Sequence, residues 1–164
     1  MMGRLYAPWR SAYLMGEPQE GCLFCRFVAE SDDRANLVLE RGRAWFLVVN
    51  KYPYTTGHVM VVCNRHVERM TDFDPGERAE MVRLLARAER AVVAAYAPDG
   101  INLGANLGRS AGAGVAGHFH MHLVPRWQGD TNFMSSVGET RVVSEDLNDT
   151  YRRLHAALSA DREG

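Results

Sequence analysis

The segment that decides the fold of this chain is AGHFHMHLVPRW, residues 116–127, in which a histidine occupies every second position. Side chains of a β-strand point alternately to opposite faces, so His118, His120 and His122 are expected to share one face of a strand. The apolar residues between them can pack in a core, which leaves the histidine face for chemistry. A single histidine in a strand is more often a structural residue, but three in register indicate a functional site. Imidazole is largely neutral near pH 7 and can therefore bind a metal or act as a nucleophile.

Two kinds of site fit this row of histidines. A catalytic zinc ion needs three protein ligands and an open position, which three histidines could supply. The loop GRSAGAGVAG, residues 108–117, favours a phosphate beside the row instead, because glycine amides can approach anionic oxygens closely. Within this region Gly112, Gly114 and the preceding Asn106 are expected to bind substrate. The three-histidine metal site remains the alternative.

Length and composition narrow the class of protein. A chain of 164 residues is expected to form one domain with a substantial core. The formal net charge of -1 gives no support for binding nucleic acid. No segment is apolar over the length needed to span a bilayer, and the first residues lack a signal-peptide pattern, so we expect a cytoplasmic protein that does not bind membranes. The three cysteines are too few for a disulfide framework, and the CLFC spacing is typical of metal binding or redox exchange.

The order of the predicted elements indicates an α+β fold. A short helix is expected from Cys22 to about Glu30, and a hairpin near Arg41 joins the apolar runs NLVLER and RAWFLVVN. HVMVVCN, INLGANL and HFHMHLVP supply three further strands. Asp74 followed by proline predicts the start of a long helix, and Ser144 the start of a C-terminal helix. We therefore expect an antiparallel sheet of about five strands with these helices, formed by residues 22–164 after an N-terminal arm of residues 1–21.

The motif His118-Phe-His120-Met-His122-Leu-Val resembles the signature of the histidine triad family of nucleotide hydrolases and transferases. The resemblance extends to CLFC, NKYPYTTGHVMVV, Asn106-Leu-Gly, and PRW with the following GDTNFM. Within the family, the APWR arm and the extended C-terminal part are most similar to the fragile-histidine-type dinucleoside polyphosphate hydrolases and the bacterial diadenosine tetraphosphate phosphorylases. A homodimer is also common in this family and is expected here.

The resemblance implies a role for each residue that matches the motif. His120 would attack the α-phosphorus and become transiently nucleotidylated, and His122 would contact the α-phosphate or the bridging oxygen. Asn106 would bind phosphate and Asn50 the ribose, while His58 is expected to be structural. The base pocket implied by the family consists of Leu23, Phe24, Phe27 and Val48, which are also good core residues.

One position departs from the family pattern. Relatives commonly carry a hydroxyl or amide side chain a few residues before the triad, where this chain has Gly114 and Val115. Ser110 or backbone amides would have to substitute for that side chain. The contacts to the leaving group are therefore expected to differ from those of other members.

The resemblance also implies a structural zinc site. Some relatives bind zinc through a cysteine pair, a histidine after the third strand and the first histidine of the triad. The corresponding residues here are Cys22, Cys25, His66 and His118. A closed tetrahedral site of this kind would attach the N-terminal helix to the sheet and would leave His120 unligated. No organic cofactor is expected.

These observations predict an enzyme that cleaves a dinucleoside polyphosphate, with diadenosine tetraphosphate the first choice, at the α-phosphate through a nucleotidyl-histidine. Either water or inorganic phosphate could accept the nucleotide, which would make the protein a hydrolase or a phosphorylase. The alternative from another class is a zinc-stabilised module that binds a nucleotide or a protein without turnover.

Overall fold

The computed structural model describes residues 21–131, 137 and 143–163. The helices of this part are α1 (Leu23–Ala29), α2 (Asp33–Asn36), α3 (Pro75–Tyr96) and α4 (Leu147–Glu163). The strands are β1 (Val38–Arg41), β2 (Trp45–Val49), β3 (Val59–Cys63), β4 (Gly100–Gly104) and β5 (His120–Arg126). The predicted arm, residues 1–21, lies outside the described residues except for Gly21, and so do the last three residues of the GDTNFM segment, 132–134.

The strands form one antiparallel sheet in the order β1-β2-β3-β5-β4. This confirms the predicted α+β class and the number of strands, but two boundaries differ. The first strand does not start at Asn36, because Asn36 ends α2 and Leu37 follows in a left-handed conformation with φ 60°. The last strand starts at His120, so His118 lies just before it.

The two faces of the sheet are covered by different helices, as the alternation of side chains requires. On one face α3 and α4 pack over an apolar core that contains Trp45, Leu47, Val61 and Leu123. On the other face the two phenylalanines of α1 contribute to a smaller core. The buried residues of this second core are Phe24, Phe27, Val38, Phe46, Val48, Met60 and Val62.

The long helix α3 begins as its sequence predicts. The Asp74 carboxylate accepts a hydrogen bond from the Glu77 amide, and the Glu77 carboxylate accepts one from the Asp74 amide, which together form a capping box. The helix ends at Tyr96 because Ala97 adopts a left-handed conformation.

The C-terminal helix α4 begins at Leu147, three residues later than the predicted Ser144. The Asp146 carboxylate accepts a hydrogen bond from the Asn148 amide and so satisfies one of the first amides of the helix. At the far end of α4, the Asp161 carboxylate pairs with Arg87 and Arg90 of α3. None of the described helices is both long and apolar enough to cross a membrane.

Candidate functional site

The histidine row lies on the face of the sheet that α1 covers. In the antiparallel pairing of β3 with β5, Val62 is opposite His120 and Met60 is opposite His122. The ring centroids of His120 and His122 are 4.9 Å apart, and the Phe24 ring of α1 lies 5.4 Å from His118 and 5.0 Å from His120. The predicted alternation of histidine and apolar residues is therefore present in the structure.

The hydrogen bond of His120 determines which of its ring nitrogens can react. Nδ1 lies 2.8 Å from the carbonyl oxygen of His118. A carbonyl oxygen only accepts hydrogen bonds, so Nδ1 carries the proton and Nε2 keeps its lone pair. Burial lowers the pKa of His120, which favours the neutral ring. His120 is thus arranged as a neutral imidazole with an unprotonated Nε2, the form that a nitrogen nucleophile requires.

A fourth histidine sets the opposite arrangement at His122. The Tyr54 amide donates a hydrogen bond to Nδ1 of His58 at 3.1 Å, so the proton of the neutral His58 ring lies on Nε2. That Nε2 is 2.9 Å from Nδ1 of His122 and donates to it. The neutral His122 ring must then carry its own proton on Nε2. Burial lowers the pKa of His122 to about 4, so the ring is neutral near pH 7 and still offers an N–H donor.

His58, which was expected to be structural, contacts the histidine row directly. It is completely buried, and the Tyr54 ring lies 4.7 Å from it and stacks at 5.8 Å on His122. The sequence HVMVV contains a pattern that could have indicated this contact. Alternation along the strand puts His58 on the same face as Met60, which lies opposite His122. What the sequence did not reveal was the pairing of β3 with β5, which brings His58 and His122 together.

The four predicted zinc ligands form a single cluster. The ligand atoms of Cys22, Cys25, His66 and His118 all lie within 4.8 Å of one another. Nδ1 of His118 is 3.3 Å from Sγ of Cys22, and Nδ1 of His66 is 3.2 Å from Sγ of Cys25. Such separations suit atoms arranged around one tetrahedral ion with bonds of about 2.0–2.3 Å. Two thiolates and two imidazoles are also a usual donor set for zinc, so these residues fit the metal.

The partners of His118 separate this histidine from the other two of the row. Its Nε2 donates to the Cys63 carbonyl at 2.7 Å, which leaves the lone pair on Nδ1, the atom that faces the cysteines. Within the described part of the chain, the cluster above is the only group of potential metal ligands. The alternative in which all three histidines bind one catalytic metal therefore has no support, because the three rings have different partners.

The residues predicted to form a base pocket lie together beside the histidine row. Phe24, Phe27 and Val48 are buried in the smaller core, with Leu23 packed at its edge. Val115, at the position where relatives carry a polar side chain, packs against the same core. The pocket assignment itself stays a prediction, because these contacts are also those of an ordinary core.

The predicted ribose contact, Asn50, is buried and already has two partners. Its side-chain oxygen accepts from the Tyr52 amide at 2.9 Å, and its Nδ2 lies 3.3 Å from Nδ1 of His58. Asn50 follows β2 on the face that carries Val48, next to the smaller core. The side chain therefore supports His58 whether or not it also contacts a ribose.

The glycine-rich loop follows β4, whose last residue, Gly104, lies opposite His122 in the sheet. Asn106 comes two residues later, and Ser110 and Gly114 are exposed in the loop. The Gly112 amide donates to the Arg109 carbonyl at 3.0 Å, and Gly112 has a φ of 89°. That amide is used within the loop, and the predicted contact of Gly112 with phosphate stays a prediction.

Comparisons with known proteins agree with these features. The sequence profile of the HIT domain family matches residues 31–129. A curated protein named AP-4-A phosphorylase from Mycobacterium tuberculosis is 38% identical over an alignment of 160 residues that covers 92% of this chain and 82% of that protein. A zinc-bound histidine triad family protein from Mycobacterium smegmatis has a similar structure, with a TM-score of 0.71 and 29% identity over 87% of this chain and 96% of that one.

The NitFhit protein of C. elegans shares the fold, with a TM-score of 0.59, 23% identity, and coverage of 75% of this chain and 27% of that one. The family profile and the mycobacterial relative together establish that this chain belongs to the HIT family. The family match ends at residue 129, so the C-terminal helix lies beyond it.

Proposed function

We propose that the chain is a nucleotidyl transferase that cleaves a dinucleoside polyphosphate, with diadenosine tetraphosphate the preferred candidate, at an α-phosphorus. The observation that carries this proposal is the hydrogen bond from Nδ1 of His120 to the His118 carbonyl, which leaves Nε2 as a nucleophile. The 38% identity to a protein named AP-4-A phosphorylase supports the choice of substrate.

The reaction consists of two displacements at the same phosphorus. In the first, the lone pair of His120 Nε2 forms a bond to the α-phosphorus, and the bond from phosphorus to the bridging oxygen breaks, which releases ATP from diadenosine tetraphosphate. In the second, an acceptor oxygen attacks the nucleotidyl-histidine, the phosphorus–nitrogen bond breaks, and the electron pair returns to Nε2. A difficult substitution is thereby divided into two easier ones.

His122 acts as a hydrogen-bond donor during both displacements. Its Nε2–H, enforced by His58, is available to the oxygens on which negative charge develops. A neutral donor suits this task because it does not depend on a cationic imidazole beside the nucleophile. Asn106, Ser110, Gly112 and Gly114 are proposed to bind the phosphates. Asn50 would bind the ribose, and the base would lie over Leu23, Phe24, Phe27 and Val48.

We assign zinc to Cys22, Cys25, His66 and His118 as a structural ion. When bound, it would connect α1 to the end of β3 and the start of β5 through four protein ligands. His118 also supplies the carbonyl that orients His120, so the ion would fix the backbone from which the nucleophile is held. The similarity to a zinc-bound protein of the same family supports this assignment.

We also propose a homodimer that forms through the β4 edge of the sheet. Four of the five residues of β4 are exposed, including the large apolar side chain of Leu103, and no described strand pairs with its outer edge. An exposed edge of this kind is normally protected or paired. Light scattering at several protein concentrations would test this, and a monomer throughout would contradict it.

The proposed acceptor is inorganic phosphate, as in a phosphorylase. The test is to incubate the protein with diadenosine tetraphosphate, with and without phosphate, and to identify the products by chromatography. Phosphorolysis yields ATP and ADP and requires phosphate, whereas hydrolysis yields ATP and AMP at the same rate without it. Nucleotide binding with no turnover and no adduct on His120 would instead support the non-catalytic binding module.

A further inference from the structure

The turn that carries Tyr54 and leads into His58, residues 54–57, is held by the end of β5 and by the segment before α4. Thr55 donates from its hydroxyl to the Pro125 carbonyl at 2.8 Å. The hydroxyls of Thr56 and Ser144 share a hydrogen bond of 3.2 Å. Ser144 lies beyond residue 129, where the match to the HIT domain ends. A segment outside the family's common domain therefore contacts the turn directly.

Gly57 receives a second contact, from the last residue of α3. The Tyr96 ring lies so close that a Cβ atom at position 57 would be 2.9 Å from it and 3.3 Å from Pro125. Gly57 also has a φ of 78°, which residues with a side chain rarely adopt. The backbone of this turn thus packs closely against the aromatic ring, with no room for a side chain at position 57.

The position of Tyr96 is in turn fixed by Glu145, next to Ser144. The Tyr96 hydroxyl donates to the Glu145 carboxylate at 2.5 Å, and burial and this carboxylate raise the pKa of Tyr96, so the hydroxyl keeps its proton. The same carboxylate accepts from the Thr150 hydroxyl at 2.8 Å and pairs with Arg153 at 3.1 Å. Glu145 therefore attaches Tyr96 firmly to the first turns of α4.

The turn matters for the chemistry because it sets the proton positions of two histidines. Its Tyr54 amide donates to His58 Nδ1, which directs the Nε2–H of His58 to His122. A donor displaced by a fraction of an ångström would weaken both hydrogen bonds, since their strength depends steeply on distance and angle. His122 would then lose its preference for carrying the proton on Nε2.

We propose that Tyr96 and Glu145 are positioning residues for the reaction: through Gly57 they hold the 54–57 turn so that His58 maintains His122 as an Nε2–H donor. The part of the proposal that concerns turnover rests on the function proposed above. The proposal gives the C-terminal segment, which lies beyond the residues that match the HIT domain, a defined contribution to the rate rather than to stability alone.

The test compares substitutions that remove side-chain contacts near the start of α4 with one that removes them near its end. Tyr96→Phe removes the hydroxyl and keeps the ring, and Glu145→Gln keeps an acceptor oxygen but loses the charge. Asp161→Asn is the matched control, because it removes the pairs with Arg87 and Arg90 that anchor the far end of α4 without touching the turn. Thermal unfolding of all three gives the loss of stability against which the kinetic effects are compared.

Two measurements separate positioning from stability. Nitrogen NMR of the resting protein, labelled at histidine, reports whether Nδ1 or Nε2 of His122 is protonated. Steady-state kinetics reports kcat and KM for diadenosine tetraphosphate. For Tyr96→Phe we expect a mixture of the two protonated forms of His122 and a fall in kcat of about tenfold with KM nearly unchanged, because only the donor in the transition state is misaligned. For Glu145→Gln we expect kcat to fall roughly threefold, and for Asp161→Asn we expect kcat to stay within about twofold of the wild-type value.

Unaltered protonation of His122 in both Tyr96→Phe and Glu145→Gln would overturn the proposal, whatever their stability. Equal falls of kcat in Tyr96→Phe and Asp161→Asn would also overturn it, because general loosening of α4 would then explain both. If the wild-type protein does not turn over the dinucleotide, the proposed function fails, but the protonation state of His122 still decides the positioning role. If either Tyr96→Phe or Glu145→Gln does not fold, both measurements are made on the other of these two variants.

Discussion

The two ends of the histidine row differ in their partners although they look alike in the sequence. At one end, His118 donates from Nε2 to the Cys63 carbonyl and turns Nδ1 toward two cysteines. His120, in the middle of the row, belongs with His122 to the reacting end; it donates from Nδ1 to the His118 carbonyl and leaves Nε2 unprotonated. Two residues apart, the same side chain thus keeps its lone pair on Nδ1 in one case and on Nε2 in the other.

His122 adds a third arrangement, since its Nδ1 accepts from His58 and its Nε2 carries the proton. The comparison shows that a neighbouring carbonyl or N–H selects the reactive nitrogen of a neutral imidazole. It also shows that the two regions are connected, because His118 both faces the cysteines and holds His120. The predictions below test how far the metal end and the reacting end are separable.

The largest effect is expected at the reacting end, for His120→Asn. Asparagine keeps approximate size and some hydrogen bonding but has no nitrogen nucleophile, so turnover should fall by about three powers of ten or more. Zinc content and the unfolding temperature should stay close to the wild type. Rapid quenching in base followed by mass spectrometry should find the nucleotide on His120 of the wild-type protein only. An adduct on another residue, or wild-type rates in the variant, would contradict the mechanism.

At the metal end, Cys22→Ser should lower zinc content and stability together. If zinc is present at about 100 times its dissociation constant, losing it removes about 2.7 kcal/mol, which corresponds to roughly 5–10 °C in a domain of this size. Metal analysis and thermal unfolding measure the two effects. Cys63→Ser is the matched control, because Cys63 lies outside the cluster and its thiol donates to the Arg65 carbonyl, as a hydroxyl also could.

Full zinc content in Cys22→Ser would show that the assigned ligands are wrong. If the ends are separable, the folded fraction of Cys22→Ser should retain measurable turnover at low temperature, in contrast to His120→Asn. Chelation of the wild-type protein should reproduce the loss of stability.

The connection between His58 and His122 is tested by a pair of substitutions at His58. Leucine removes both ring nitrogens and should lower kcat roughly 100-fold, the size of effect seen when a donor to developing charge is lost. Glutamine can present an amide N–H near the position of Nε2, so kcat of His58→Gln should be about tenfold higher than kcat of His58→Leu. Rates are normalised to the folded fraction measured by circular dichroism, because His58 is buried. Equal rates in the two variants would show that His58 only fills space.

The smallest effect concerns pH. The pKa of His122 lies at about 4, below the ordinary value, because burial disfavours the charged ring and the neighbouring His120 adds to this. The ring should therefore stay neutral as the pH falls from 7.5 to about 5.5, where an ordinary histidine would be about nine-tenths protonated. We expect kcat/KM for the dinucleotide to change less than about twofold over this interval.

The same shift also predicts how stability depends on pH. The unfolded chain binds a proton at this histidine near pH 6.5 and the folded chain only near pH 4, so the unfolded state gains protons first on acidification. The stability contributed by the neutral His122 is therefore complete above the ordinary pKa and is lost between about pH 6.5 and 4. Metal content is measured at each pH, and a tenfold fall of kcat/KM by pH 5.5 with zinc still bound would contradict the low pKa.

Much of the fold followed from local patterns. Asp74-Pro75 predicted the start of α3, and the continuous apolar, β-branched runs FLVV and VMVV predicted buried strands, because capping and strand preference depend on neighbouring residues alone. The boundaries at Leu37 and Leu147 were less accurate. At Leu37, a left-handed residue ends the short helix α2, which was not predicted because the apolar run NLVLER indicated a strand. At Leu147, the choice between Ser144 and Asp146 as the helix start required the hydrogen bonds of the structure.

For the site, the sequence supplied residue types and the tertiary structure supplied their partners. Cys22, Cys25, His66 and His118 were nominated from the family resemblance, and the fold brings their ligand atoms together. Gly112 was expected to offer an amide to phosphate, but that amide is used within the loop. The hydrogen bond of His58 to His122 was not predicted, since it depends on a strand that is distant in sequence.

The sequence alone determined that three histidines would share one face of a strand, because the period of an extended backbone is a local property. Only the tertiary structure decided which nitrogen of each ring is free to bind or react. That choice depends on single hydrogen bonds to the Cys63 carbonyl, the His118 carbonyl and the His58 ring, two of which join residues more than 50 positions apart. A neutral imidazole has one donor and one acceptor nitrogen of nearly equal energy, so one such bond is enough to fix the choice.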